Sequence, residues 1–183
     1  MDTLFETFKA KAEAVSAEVH RFPGTAPALA FILEFLRGAG VSPEPQCGAV
    51  WAAGPFADSF RVELQRVPGL RFEVSREAAA EARVGVSQMD WAMADTGTLV
   101  QDAAGVDQRL VATLPPIHLA VLGTERILAD LGAVLGRIRP EQTNYISFIT
   151  GPSRTADIER VLTIGAHGPE RLVIVAIDGL VQP

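Results

Sequence analysis

The stretch His118-Leu119-Ala120-Val121-Leu122 offers no alternation of polar and apolar residues once it has begun. A strand that is apolar on both faces has to be covered on both, which is the setting of an interior strand in a parallel sheet layered between helices. Other strand candidates are equally short: Ala49 to Ala52, Leu70 to Val74, Val84 to Val86, Asn144 to Thr150 and Leu172 to Ile177. Helical stretches separate them. Ser75 caps one running to about Ala82, and Thr124 caps another spanning Glu125 to about Arg137, with Ile127, Leu128, Leu131, Val134 and Leu135 inward. Residues 58–67 fit a helix or a strand. Gly97 to Val111 reads as a hairpin, an antiparallel excursion from the sheet. Strands too short for a sandwich, alternating with helices, give an α/β fold: an open, mainly parallel sheet with helices on both faces.

The chain opens differently. Leu4, Phe5, Phe8, Ala12, Val15 and Val19 recur at helical spacing, predicting an amphipathic helix over residues 2–20 with His20 at its negative end. Phe22-Pro23-Gly24 breaks it, and Thr25 opens a second helix to about Gly38. Both helices precede every strand candidate, so residues 1–40 read as an N-terminal helical appendage and residues 41–183 as the α/β domain.

Several function classes are excluded by composition. A net charge of -6 provides no electrostatic footprint for nucleic acid. Cys47 is the one cysteine, so this chain builds neither a disulfide framework nor a thiolate-held cluster or metal site. The first residues, Met-Asp-Thr-Leu-Phe-Glu, lack the basic start and apolar core of a signal peptide. No apolar run approaches the roughly 20 residues that span a bilayer. The expectation is a cytoplasmic protein with no membrane span.

Polar residues gather in three places. Gly151-Pro152 stops a strand, after which Ser153 or Thr155 would cap a short helix whose unpaired N–H groups attract anions. Arg154 adds a planar fork suited to carboxylate or phosphate. The competing reading is a capped surface turn with an Arg154–Asp157 pair. Asp95-Thr96-Gly97-Thr98 is either a ligand-binding loop, Gly97 allowing close backbone approach, or simply a tight turn. His167, held between Gly165 and Gly168, is placed to act as an acid, a base or an anion contact. His118 is either a sheet-end ligand group or a core imidazole. Carboxylates such as Asp90, Asp95, Asp102, Asp107 and Asp157 are numerous, but their spacing singles out no catalytic pair. Trp51 and Trp91 read as core or pocket wall. Local motifs name no reaction.

Taken together, Ala94 to Thr98, Leu114 to His118, Phe148 to Glu159 (with Gly-Pro-Ser-Arg-Thr-Ala-Asp-Ile-Glu at its heart) and Gly165 to Pro169 resemble the LUD domain family. Within it they are similar to the lactate-utilization protein C group. Asp95 stands where the family often has Glu, and Ala166 where Val is common. The resemblance implies a fold like the NagB/RpiA/CoA-transferase group, and open α/β sheets bind ligands at the carboxyl ends of their strands. On that basis Asp95, Thr96, Gly97, Thr98, Gly151, Ser153, Arg154, Thr155, Asp157 and His167 are the candidate substrate-binding residues. They would converge on one rim of the sheet.

It further implies a role in oxidising L-lactate to pyruvate, with iron–sulfur clusters on cysteine-rich partner subunits and no cofactor on this chain. The expected role is an accessory or substrate-handling subunit, Arg154 and nearby N–H groups holding a small carboxylate. One alternative is a free-standing isomerase or transferase acting on a phosphorylated or coenzyme A-linked molecule. Another is a ligand-free scaffold docking through its first helix.

Overall fold

The computed structural model describes residues 2–139, 141–142, 145–156, 162–165 and 167–180. Its first half runs α1 (Asp2–Ala14), β1 (Ala17–Phe22), α2 (Thr25–Gly38), β2 (Gly48–Trp51), α3 (Pro55–Ser59), α4 (Arg61–Leu64), β3 (Leu70–Arg71), α5 (Arg76–Ala80) and β4 (Ala82–Gln88). Then follow β5 (Trp91–Met93), β6 (Thr98–Asp102), α6 (Val106–Thr113), β7 (Ile117–Gly123), a 3-10 turn (Thr124–Arg126) and β8 (Ile127–Leu128). The remainder is α7 (Leu131–Leu135), β9 (Ile146–Ile149), β10 (Arg154–Ala156), β11 (Leu162–Ile164) and β12 (Arg171–Ile177).

Six strands, in the order β1-β12-β7-β4-β2-β3, form an all-parallel sheet. Its middle is built from the two most apolar runs: Leu119 to Leu122 of β7 and Leu172 to Ile177 of β12 are buried throughout. Helices α2, α3 and α4 cover one face through Ile32, Leu36, Phe56 and Leu64. On the other face α1 contributes Phe5, Phe8 and Ala12, packed with Met89, Leu99 and Ile127. A second sheet, β8-β5-β6-β9, adds strands to that layer, and β10-β11 is a separate antiparallel ribbon. The α/β class read from the alternation is the one observed.

Local assignments differ in four places. The helix read over residues 2–20 ends at Ala14, and Ala17–Phe22 is an edge strand paired with β12. Val15, Ala17 and Val19 fit a period of two as well as part of a helical stripe, and the buried Ala17 and Val19 take the former. Ser16, at φ 71, makes the turn. His20 therefore caps no helix; its ring lies 4.7 Å from that of Phe31.

The helix read over 125–137 is only Leu131–Leu135, capped by Asp130, whose Oδ1 accepts from the N–H of Ala133 at 2.8 Å. Thr124 does not cap it, since its hydroxyl donates to Asp178 at 2.8 Å. The hairpin is β5–β6 around Gly97, whereas residues 106–111 begin α6. Finally, the short helix expected after Ser153 is the strand β10. By contrast Ser75 caps α5 as expected, its Oγ accepting from the N–H of Ala78 at 3.1 Å.

Candidate functional site

Four distant pieces of chain meet beside the amino ends of the parallel strands. In the β5–β6 turn the N–H of Gly97 donates to the carbonyl of Met93 at 3.0 Å, leaving Asp95 and Thr96 exposed. Gly97 has φ 67 and lies so close to the last turn of α1 that a Cβ would collide with the backbone of Lys11 and Ala12. Thr98 is buried, and its hydroxyl shares a 2.8 Å hydrogen bond with that of Thr150, at the end of β9. Antiparallel pairing of β6 with β9 sets this contact, because Leu99 opposite Ile149 brings the next pair of residues together.

Gly151 repeats the arrangement of Gly97. At φ 71 it presses on Val15, so that a Cβ there would run into the Val15 carbonyl. The guanidinium of Arg154 then reaches back to the same turn, donating through Nη2 to the Val15 carbonyl at 2.8 Å and to Ser16 Oγ at 2.6 Å. Ser153 joins the last piece: its N–H donates to the Pro169 carbonyl at 2.8 Å, and its own carbonyl accepts from Gly165 at 2.9 Å. His167 stands exposed on that loop.

The three predicted loops therefore do converge. Their surroundings differ from expectation in two respects. Pro169 and Glu170 lead into the start of β12, and the N–H of Glu170 donates to Pro116 at the start of β7. This is the amino rim of the sheet, opposite the carboxyl rim where open α/β sheets generally bind ligands. Nor does a helix N-terminus follow Ser153, so the expected cluster of unpaired N–H donors is missing there; the Ser153 N–H is already bonded. Thr155 belongs to β10, opposite Thr163. Asp157 lies outside the described residues.

The opposite rim holds polar residues that spacing did not single out. Between β2, which continues to β3 on one side, and β4, which leads to β7 on the other, the sheet reverses its winding. At this point Gln88 Oε1 accepts from the N–H of Phe56 at 2.8 Å, and the Gln88 carbonyl accepts from Gln101 Nε2 at 2.9 Å. Asp90 Oδ2 accepts from the N–H of Asp102 at 2.7 Å. Burial raises the Asp90 pKa and the Asp102 carboxylate adds to the rise, against the pull of that N–H and of Arg126. The signal available in the sequence was position: Gln88 ends β4 and Asp90 stands two residues beyond it.

His118, left open between ligand and core, is wholly buried, with Nε2 2.8 Å from Ser87 Oγ. Burial alone pushes its pKa down to about 4, so the ring is neutral in the fold. Trp51 is core, its ring stacked at 6.1 Å from that of Phe56. Among the described residues no group of three His, Cys, Asp or Glu is arranged to hold a metal ion, and no helix is long and apolar enough to cross a membrane.

Comparison with known proteins adds to this geometry. Residues 5–177 match the LUD domain family model. The chain is 36% identical over 114 residues to a protein named lactate utilization protein C from an Exiguobacterium species, covering 59% of this chain and 50% of that one. To the protein of the same name from Macrococcus caseolyticus it is 30% identical over 139 residues, covering 70% and 60%. The chain thus spans about half the length of the curated relatives it matches. A crystal structure of a DUF162 family protein from Deinococcus radiodurans superposes with a TM-score of 0.64 over 96% of this chain and 97% of that one, at 18% identity, and so shares the fold.

Proposed function

Because the chain belongs to the LUD domain family, we propose that it serves in lactate utilization, as a component of a system that oxidises L-lactate to pyruvate. The observation that carries this reading is the name borne by its relatives at 36% and 30% identity. The family resemblance implies that electron transfer falls to cysteine-rich partner subunits, and a single cysteine, too few thiolates for an iron–sulfur cluster, is in keeping with that. This chain then has an accessory or substrate-handling part.

The rim formed by the LUD-type motifs is the proposed working surface. Asp95, Thr96, Arg154 and His167 are exposed there, and Ser153 is half-buried. Arg154 acts there by positioning, because its guanidinium fixes the turn at Val15 and Ser16.

The experiment is genetic and biochemical. Deleting the coding sequence should abolish growth on L-lactate as sole carbon source, and the intact sequence should restore it. The tagged protein should copurify with subunits that contain iron and acid-labile sulfide. Undiminished lactate oxidation in the deletion strain would overturn the proposal.

A further inference from the structure

Far from the motif residues, at the β3 edge of the parallel sheet, an open groove of about 580 Å³ is lined by Arg61, Gln65, Arg71, Phe72, Glu73 and Ser75, among others. Its volume falls in the range of small-molecule sites, roughly 300–1,000 Å³. Two arginines face it on a chain whose net charge is -6. Among the described residues neither makes an ion pair with a carboxylate. Glu73 lines the same groove without reaching ion-pair distance of either.

Arg61 is also held in place. Its guanidinium carbon sits 3.7 Å from the centroid of the Phe72 ring. Stacking of this kind uses the flat side of the guanidinium and keeps the N–H edge available in a fixed orientation. A restrained arginine loses less freedom when it binds than a loose one, and its fork matches the oxygens of a phosphate.

We propose that this groove binds an organic phosphate of about nucleotide size, Arg61 and Arg71 sharing the charge of the phosphate groups. Two guanidinium groups without carboxylate partners match a ligand carrying more than one negative charge, as a phosphate ester does near neutral pH. The Glu73 carboxylate and the Gln65 amide offer acceptors to hydroxyl or amino groups on the ligand body. The proposal is independent of the lactate reading, since it involves none of the motif residues.

The test is calorimetric titration of the purified chain with ADP and, separately, with inorganic pyrophosphate at low ionic strength. One saturable site for ADP is expected. Arg61→Gln and Arg71→Gln should each weaken it at least about tenfold, the loss expected of one charge-assisted hydrogen bond. Phe72→Leu, which keeps both charges, should also weaken it by removing the stacking platform. The two arginine substitutions, exposed or half-exposed, should leave the circular dichroism and melting temperature essentially unchanged, separating loss of binding from loss of fold. Failure of both probes to saturate by about 1 mM would overturn the proposal. So would ADP affinity that the Arg61→Gln/Arg71→Gln double variant retains.

Discussion

Thr98 and Thr150 join hydroxyl to hydroxyl at 2.8 Å across 52 positions of sequence, and through them the β5–β6 turn is tied to the segment that carries Gly151 and Arg154. Thr98 is buried while Thr150 is exposed, so removing the Thr98 hydroxyl costs the bond itself and leaves Thr150 to water. Thr98→Val keeps the shape and should cost about 1 kcal/mol in urea unfolding. An unchanged midpoint would mean that the bond contributes nothing net.

Gly97 and Gly151 combine a left-handed φ with close contact to the α1–β1 junction. Alanine at either position meets both penalties and should destabilise by more than about 2 kcal/mol. Gly179 is the control. It has φ 67 but nothing within 4 Å of a Cβ, so Gly179→Ala should cost only the conformational penalty of about 1 kcal/mol. Equal losses at all three sites would show that the contacts with α1 do not matter.

Arg154→Ala releases the Val15 carbonyl and the Ser16 hydroxyl. The expected effect is local: about 1 kcal/mol of stability, with faster amide exchange in residues 12–18 than elsewhere. Uniform protection across that turn in the variant would contradict the positioning role.

Asp90 has its pKa raised by burial, with the Asp102 carboxylate adding to the shift. A carboxyl group with a raised folded-state pKa penalises the fold once it ionises. Its cost is absent below the unfolded-state value and grows as pH rises through the folded one. Asp90→Asn keeps an oxygen acceptor for the Asp102 N–H and removes the charge. It should therefore raise stability at pH 7, with the gain shrinking as the pH is lowered; thermal melts across that range measure it.

His118 behaves in the opposite sense. Its pKa falls from 6.5 to about 4, so the unfolded chain takes up a proton at a pH where the folded one does not. Stability should decline as pH drops from about 6.5 toward 4, by up to roughly 3 kcal/mol, and level off below. His118→Gln should flatten that part of the profile. A profile equally steep in the variant would assign the loss to other groups.

The sequence by itself determined the class of fold and the identity of the motif residues. Leu119 to Leu122 and Leu172 to Ile177 can satisfy their burial only inside a covered parallel sheet, and that is a property of residue type. The cap at Ser75 was legible for a similar reason: Ser Oγ serves an N–H three residues on, a purely local bond. Val15 to Val19 was not, because its spacing suits a helix and a strand alike until β12 is there to pair with it. Nor could spacing decide what Arg154 holds, or on which rim the motif loops gather. Those depend on Val15, Pro116 and Pro169, remote in sequence and near only in the folded chain, where strand direction and the sign of φ at Gly97 and Gly151 set which backbones touch.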